Sequence, residues 1–449
     1  VFTGHSSIIR YREGRFLAFP TSFAIANCIL EDREGNLWVG TSGGGVAQMR
    51  ERAHRIFNES SGLRSDNVSA LAEDAQHTIW VANRSGGLYR LDVDAGRVER
   101  RATAPDNFAV ETVAVDRAGK VWFGGRDIGL WYLSDGMKEP RQMTTVSAGV
   151  NALLATRSGH VWFATTNGEV GRILDDRIDP INGENFHGLA TIYAMAEDDR
   201  GGLWFGGRRG LLARWDGKTF THCDPNLIPS TVHSLLIDSS GLLWVGSAGG
   251  LALYENEKLH WLTREQGLPD EIIYNIAEDD HGRLWLATRR GLFHVSRTEL
   301  VSVARGELRR VTSSRYGPEQ GLRGFTPTPN FFPGALKSRN GHLWFSTTQG
   351  VVEIDVSKIA RSATPSPVHL DVVRWDGEVA ALGSKTIEFP SGRHRVDFEL
   401  VVFNYTDPDN VAMEHRLEGF DRDWVETGVD HKGYMQSHHP DYYLGNGME

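Results

Sequence analysis

Residues 31–41 read Glu-Asp-Arg-Glu-Gly-Asn-Leu-Trp-Val-Gly-Thr, and versions of this segment return along most of the chain. Each version places a Trp between two apolar residues. Successive Trp residues are 40 to 42 positions apart, except for a last step of 59. A fixed period of this length is typical of repeat architectures, so the repeat has to be explained before any other feature. The eight residues are Trp38, Trp80, Trp122, Trp162, Trp204, Trp244, Trp285 and Trp344.

Two further positions of the repeat predict a tight turn before each Trp. Gly is usual three residues ahead, with His77 as the exception, and Asp is usual six residues ahead, replaced by Thr156 and Ser338 in two copies. Asp accepts hydrogen bonds from the turn backbone and Gly adopts a positive φ, so Asp-x-x-Gly predicts a hairpin. A calcium site is the alternative, but one Asp per turn lacks the several oxygen ligands that this ion needs.

The segments between the Trp residues have room for more strands. In the copy around Trp80, residues 68–72, 79–82 and 88–91 are apolar or alternate, and residues 97–100 are polar. Such runs, separated by turn residues, predict four antiparallel strands. Four strands in about 42 residues is the period of a β-propeller blade, with the Trp packed between neighbouring blades. We therefore predict an all-β protein built around a β-propeller.

The Trp positions also predict where the ring closes. The seven residues from Trp80 to Trp344 give a seven-bladed ring, and adding Trp38 gives an eight-bladed ring as the alternative. Residues 1–8 align with residues 39–46, which places residue 1 just after the Trp of a further, interrupted copy. We expect residues 61–360 to form a seven-bladed propeller, and residues 1–60 to be one and a half blades of an upstream propeller.

The composition narrows the class of protein. The chain has 449 residues, of which 40% are hydrophobic and 24% charged, as in globular proteins. Its net charge of -10 argues against nucleic acid as a main partner. We find no apolar run of about 18 residues or more and no signal peptide. Cys28 and Cys223 are too far apart for a metal motif and are expected to be small buried side chains.

These motifs resemble the two-component regulator propeller repeats. The resemblance rests on residues 31–41 and on the connecting segments 62–68 and 267–270, and it covers roughly residues 1–357. It implies the sensor part of a membrane histidine kinase or hybrid kinase, commonly built as two seven-bladed propellers in series. The long last interval fits this family as well. There, residues 296–299 form a capping-box pattern, which predicts a short helix over 296–303.

The Trp period stops before Ser366. Residues 394–400 alternate as a strand, and the segment around Phe403, Tyr405 and Trp424 resembles the three-tyrosine (Y_Y_Y) immunoglobulin-like sandwich that joins such propellers to a transmembrane helix. The match ends near Gly428, so we expect a partial β-sandwich over residues 366–428. Residues 429–449 are polar and do not alternate, which predicts an irregular tail.

The sequence carries no motif of a serine hydrolase, zinc protease, P-loop protein or kinase. Acidic pairs such as Asp198–Asp199 and Asp279–Asp280 occupy the turn position of the repeat, which marks them as architecture rather than as acid–base groups. The His residues are scattered along the chain. We expect no catalytic residue, no metal and no cofactor.

Basic residues recur in the turn that follows the Trp strand, on the same face as the connections between blades. Arg suits carboxylate and sulfate groups, so this pattern predicts a site for an anionic ligand such as a uronic or sulfated glycan. The alternative is exposed, solubilising charge paired with loop carboxylates. Trp261 and Phe332 would add stacking surfaces for sugar rings, or else pack in the core. The basic residues are Arg84, Arg126, Arg208, Arg209, Arg289 and Arg290.

Three functions fit this sequence. The first is the periplasmic ligand-recognition region of a two-component protein that is a homodimer in its full-length form and whose kinase and membrane anchor lie outside this chain. The second is a lyase resembling virginiamycin B lyase, which would be one complete propeller; the interrupted copy and the sandwich argue against it. The third is a propeller that binds a protein partner. We favour the first, with no enzyme activity in this chain.

Overall fold

The chain forms two compact units in the computed structural model, Ala53–Ile359 and Val1–Arg52 with Ala360–Glu449. The structure describes residues 2–3, 7–12, 14–20, 25–50, 52–85, 87–102, 109–143, 146, 148–174, 177–181, 190–228, 230–359, 367–379, 392–394, 396–404, 413–416, 425–427, 434–438 and 442–444.

The described residues of Ala53–Ile359 form seven four-stranded antiparallel sheets, here named blades 1 to 7. Each innermost strand packs beside that of the next blade, and that of blade 7 packs beside that of blade 1. This closed cycle around a central channel is a β-propeller, consistent with the seven-blade expectation.

From the innermost strand outward, the strands are Val68–Glu73, Ile79–Asn83, Gly87–Asp92 and Arg97–Ala102 (blade 1); Thr112–Val115, Val121–Gly125, Gly129–Leu133 and Arg141–Met143 (blade 2); Val150–Ala155, Val161–Thr165, Val170–Leu174 and Arg177–Pro180 (blade 3); Ile192–Glu197, Leu203–Gly207, Leu212–Trp215 and Phe220–His222 (blade 4); Val232–Ile237, Leu243–Ser247, Gly250–Glu255 and Lys258–Leu262 (blade 5); Ile273–Glu278, Arg283–Thr288, Gly291–Ser296 and Ser313–Tyr316 (blade 6); Ala335–Lys337, Leu343–Thr347, Gly350–Ile354 and His54–Phe57 (blade 7).

Blade 7 is assembled from both ends of this unit. Its outermost strand, His54–Phe57, pairs antiparallel with Gly350–Ile354. The Trp period predicts residues 54–57 as part of the upstream segment 1–60, whereas the strand pairing places them in the propeller. The reason is that the chain turns into the 3-10 helix Val356–Lys358 after Ile354 and supplies no outer strand there. The unit therefore begins at Ala53 rather than at residue 61.

The Asp-x-x-Gly hairpin is confirmed, and its carboxylate has a second role that the sequence analysis missed. In blade 6, Asp279 accepts the backbone N–H groups of His281 and Arg283 at 2.9 and 3.0 Å. Trp285 Nε1 donates to the same carboxylate at 2.8 Å. Trp285 is fully buried in a cluster that includes residues of blade 7. The turn therefore fixes the indole that packs between two blades. The same bond joins Trp38 to Asp32, Trp80 to Asp74, Trp122 to Asp116 and Trp244 to Asp238.

The predicted short helix is confirmed as Arg297–Ala304, between the third and fourth strands of blade 6. The Ser296 side chain caps it by accepting the Glu299 N–H at 3.4 Å, and Leu300 and Val303 are buried beneath it. The helices of the described part of the chain are too short and too polar to span a bilayer. Single 3-10 turns lie at Glu59–Ser61, Arg208–Gly210, Pro225–Leu227, Arg264–Gln266, Pro318–Gln320 and Val356–Lys358.

The other unit is also built of strands. Two three-stranded sheets precede the propeller, namely Phe2–Thr3, Ser7–Arg12 and Arg15–Pro20, then Ala26–Glu31, Leu37–Thr41 and Gly45–Met49. After it come a four-stranded sheet, in the order Glu378–Val379, Val368–Trp375, Val396–Val402 and Tyr434–His438, and the pairs Gly392–His394 with Tyr442–Leu444 and Met413–His415 with Val425–Thr427. Tyr405 and Trp424 lie outside the described residues, so the three-tyrosine sandwich stays a prediction.

Two expectations for this unit are wrong. Residues 434–438 and 442–444 are strands, not irregular tail. Tyr434–His438 pairs along Val396–Val402, because that strand would otherwise present an open edge of unpaired backbone groups. Cys28 is exposed rather than buried, because it lies on an uncovered part of the strand Ala26–Glu31. Cys223 is half-buried, and burial raises the pKa of its thiol.

Candidate functional site

The predicted basic residues all lie in turns that follow the Trp strands, and all are exposed. We call these turns, with the blade-to-blade connections beside them, the arginine face. The up-and-down order of strands in each blade puts both kinds of loop at the same end of the propeller. The structure divides the arginines of this face into three pairs with different contacts.

The first pair, Arg84 and Arg126, meets at one buried carboxylate. Arg84 Nε lies 4.0 Å from Glu111 Oε1, and the Arg126 backbone N–H donates to Glu111 Oε2 at 3.1 Å. Burial raises the pKa of the Glu111 carboxyl, although both guanidinium groups act to lower it. The Arg84 guanidinium also lies 5.0 Å from the ring centroid of Phe331. Contacts within the propeller therefore already engage this pair.

The second pair, Arg289 and Arg290, is tethered to the connection between blades 5 and 6. Arg289 Nε lies 3.8 Å from Asp270 Oδ2, and Arg290 Nη1 donates to the Pro269 carbonyl at 3.2 Å. Asp270 is buried, with 4% of its surface exposed. A buried carboxylate needs a counter-charge, so Arg289 has a structural role here.

The third pair, Arg208 and Arg209, differs from the other two. Neither side chain forms an ion pair with another residue that the structure describes, and residues 182–189 are outside that set. Arg209 has φ 57° and ψ 39° in the 3-10 turn Arg208–Gly210. The left-handed region costs a residue with a Cβ about 1–2 kcal/mol, and such strain concentrates at functional sites. The Arg208 N–H donates to the Thr191 carbonyl at 2.9 Å, which anchors the turn.

A cavity of about 270 Å³ opens beside Arg126, just below the roughly 300–1,000 Å³ of typical small-molecule pockets. Gln142 lines it, and its Nε2 donates to the Ile128 carbonyl at 3.2 Å. Gly149 permits the close approach of the chain, since a Cβ there would lie 2.0 Å from the Arg126 carbonyl oxygen. The arginine face therefore has a small polar recess at blade 2.

The two aromatic residues considered as stacking surfaces pack in the structure. Trp261 Nε1 donates to the Leu227 carbonyl at 3.0 Å, and its ring packs against the cluster around Trp204. Phe332 packs against clusters of blades 3, 4 and 5. Glu111 was not predicted. Its only signal in the sequence is a lone acidic residue inside the apolar run 110–115. No group of three or more His, Cys, Asp or Glu side chains among the described residues is placed to hold a metal ion.

Family comparison identifies the repeat. Residues 20–43, 226–249 and 267–290 match the family model described as two component regulator propeller. The chain carries two-component regulator propeller repeats. Each of the three matched segments contains an Asp-x-x-Gly turn and the Trp strand that follows it; the second belongs to blade 5 and the third to blade 6. No curated protein sequence matches the chain.

Two solved extracellular domains have a similar fold. The extracellular domain of BT3049 from B. thetaiotaomicron, named as a hybrid two component system, has a TM-score of 0.66 at 20% identity, covering 93% of this chain and 58% of that one. The extracellular domain of BT4673 from the same organism, named as a one component system, has a TM-score of 0.53 at 14% identity, covering 98% and 62%. This chain thus spans less than two thirds of either domain.

Virginiamycin B lyase from Staphylococcus aureus is also similar, with a TM-score of 0.52 at 13% identity. The match covers 68% of this chain and 99% of the lyase. At these identities the likeness to each of the three structures shows the fold alone.

Proposed function

We propose that this chain is the ligand-recognition region of an extracytoplasmic sensor in two-component signal transduction. It acts in the periplasm and passes its signal to a kinase outside this chain. The segments that match the regulator-propeller model support this proposal, as does a fold similar to the extracellular domain of a hybrid two component system. The chain binds and carries out no chemistry, and the parent protein works as a homodimer anchored in the membrane by other segments.

The ligand in this proposal is anionic, such as a uronic or sulfated glycan. The observation that carries it is the pair Arg208 and Arg209, which lie exposed on a strained turn and have no carboxylate partner among the described residues. Guanidinium groups bind carboxylate and sulfate oxygens through bidentate hydrogen bonds. The two pairs that already have contacts within the propeller, Arg84 with Arg126 and Arg289 with Arg290, form the rest of the arginine face beside Arg208 and Arg209.

Titration calorimetry with heparin and polygalacturonate oligosaccharides tests the ligand class. We expect Arg208→Ala/Arg209→Ala to weaken binding at least tenfold, because hydrogen bonds to charged groups contribute about 1.5–3 kcal/mol each. Arg289→Ala/Arg290→Ala is the matched control, with a smaller loss because these side chains are already engaged. Unchanged affinity in the first variant rejects the anionic ligand at this site. Equal losses in both variants place the site across the whole face.

A variant that separates binding from folding is Arg209→Gly. Gly adopts the left-handed conformation without strain, so the turn is kept while the guanidinium is lost. We expect oligosaccharide binding to fall while the free energy of unfolding changes by less than about 1 kcal/mol. A loss of binding together with a collapse in stability would show that Arg209 serves the fold instead.

A further inference from the structure

The innermost strand of blade 7 contains an insertion that no other described blade has. Pro327 bridges to Thr347, and Ala335 is the next residue in register, opposite Phe345. Thr328 N–H donates to the Ser346 carbonyl, and Ser346 N–H donates to the Gly334 carbonyl, at 3.2 and 2.9 Å. Both ends of the segment 328–334 are therefore fixed at one position of the ladder, and the residues between them leave the strand. We call residues 328–334 the strap.

The strap lies at the position in its blade where most other blades have a β-bulge. At the same register, five of the other innermost strands have a bulge of a single residue. These bulges lie near the start of the strand, at the end of the channel that carries the arginine face. Blade 7 thus replaces a one-residue bulge with a loop that projects into the channel mouth. The bulged residues are Ser69, Asn151, Tyr193, His233 and Tyr274.

The strap bonds to blades on opposite sides of the channel. Its Pro333 carbonyl accepts the Leu71 N–H of blade 1 at 2.9 Å, and its Phe332 carbonyl accepts Thr112 Oγ1 of blade 2 at 2.7 Å. On the other side, His233 Nδ1 of blade 5 lies 2.8 Å from Asn330 Oδ1. All three contacts are made by inward-facing groups of innermost strands. Blade 1 neighbours blade 7, whereas blades 2 and 5 do not.

Side-chain packing extends the same contacts around the ring. Phe332 packs against clusters built from blades 3, 4 and 5, and Phe331 lies under the Arg84 guanidinium of blade 1. Gly334 abuts blade 6, since a Cβ there would lie 2.4 Å from Asn275 Oδ1. The strap therefore contacts blades 1, 2, 5 and 6 individually and packs against the clusters shared by blades 3, 4 and 5.

We propose that the strap is a lock across the channel mouth. It closes the channel at the arginine face and couples blades 1, 2 and 5, so that loosening a contact at one of these blades loosens the others. A ligand approaching this face meets the strap and the turns around it, not an open channel. The lock rests on backbone and side-chain contacts and is independent of which ligand binds.

Hydrogen exchange at the Leu71 amide tests the coupling, read by mass spectrometry with fragmentation over residues 68–73. His233→Phe keeps an aromatic ring in blade 5 but removes the bond to Asn330 on the far side of the channel. We expect Leu71 exchange to accelerate about fivefold, the equivalent of one net hydrogen bond. Thr112→Val, which removes the bond from blade 2, has the same expected effect.

Ser234→Ala is the matched control, because Ser234 is next to His233 on the same strand and its hydroxyl has no hydrogen bond within the described structure. Exchange at Leu71 stays at the wild-type rate in this variant. Acceleration as large as that of His233→Phe would mean general loosening of blade 5 and overturns the lock. Unchanged exchange in both His233→Phe and Thr112→Val overturns it as well.

Deletion of residues 329–333 is the strongest form of the test. It joins Thr328 to Gly334 and restores the one-residue bulge of the other blades, so the ladder of blade 7 is kept. We expect Leu71 to lose most of its protection in this variant. Wild-type protection in a folded deletion variant overturns the proposal. If the deletion variant does not fold, the two point variants decide the question.

Discussion

At the scale of single residues, the carboxylate of the repeat turn stabilises more than the turn. Asp279 bonds to two backbone N–H groups, to Arg283 Nε at 2.6 Å and to the buried Trp285 Nε1 at 2.8 Å. Burial acts to raise the pKa of this carboxyl, but the bonds from Trp285 and Arg283 outweigh it and the pKa is lowered. The aspartate is therefore ionised and fully engaged in the folded protein.

We predict that Asp279→Ala lowers the free energy of unfolding by on the order of 3–4 kcal/mol, because it leaves the indole N–H buried without a partner. Urea unfolding followed by Trp fluorescence measures the loss. Asp216→Ala is the control, since Asp216 caps an exposed turn through Lys218 and Thr219 alone. Equal losses in the two variants would show that the indole bond contributes nothing beyond the turn.

His294 gives a second prediction, on pH. It packs against Trp285 at 4.9 Å between ring centroids, and burial, with the nearby Arg283, lowers its pKa to about 4. An unfolded chain takes up this proton near pH 6.5, so the folded state loses stability as the pH falls from 6.5 towards 4. The loss from this group is on the order of 3 kcal/mol at pH 4.

His294→Phe removes this titration, so urea unfolding at pH 7 and pH 4.5 measures its share. We expect the difference in stability between the two pH values to shrink in the variant. His222→Phe, at an exposed position of blade 4, is the control for a His-to-Phe substitution that leaves His294 in place. An identical pH dependence in His294→Phe and the wild type would contradict the assignment.

At the scale of elements, one contact recurs between successive blades. A Glu at the end of an innermost strand accepts a backbone N–H from the turn that precedes the Trp strand in the preceding blade. Ser239 N–H donates to Glu278 at 2.6 Å, Arg157 N–H to Glu197 at 2.7 Å, and Arg339 N–H to Glu73 at 3.0 Å. The last of these joins blade 7 to blade 1, so the same device that links neighbours also closes the ring.

The sequence predicted those elements that depend on short-range pattern. The Trp period located the blades, and the capping box at Ser296 located the helix, because each signal lies within a few residues of the structure it specifies. Contacts between residues far apart in the sequence could not be predicted in this way. The pairing of His54–Phe57 with Gly350–Ile354 depends on the closed ring, and the contact of Arg84 with Glu111 depends on the packing of blade 1 against blade 2; no local pattern encodes either.

The candidate site shows the same division. The basic residues of the arginine face were predicted from their place in the repeat, and all six are in the expected turns. Which of them have partners could not be predicted, because the partners of Arg289 and Arg84 lie in blade connections that meet these turns only in the folded propeller. The strain at Arg209 was equally invisible, since a left-handed Arg has no sequence signature.

At the scale of the whole molecule, the ring is closed by contacts from both ends of the propeller unit. The strand His54–Phe57 completes blade 7, and Phe57 is buried beside Trp344 at 6.1 Å between ring centroids. Arg55 Nε lies 2.5 Å from the buried Glu353, and the Gly350 N–H donates to the Asp66 carbonyl at 2.7 Å. The first residues of the unit thus stabilise its last blade.

This closure predicts a sharp dependence on where a fragment begins. A fragment of residues 53–359 keeps the closing strand, whereas residues 61–359 expose the edge of Gly350–Ile354 and lose Phe57 from the core. We expect the shorter fragment to lose at least the roughly 3–5 kcal/mol typical of removing a buried Phe, measured by urea unfolding. Arg55→Ala in the longer fragment separates the ion pair from the strand and should cost less. Equal stability of the two fragments would mean that blade 7 closes the ring without its outer strand, and the unit would then begin near residue 61.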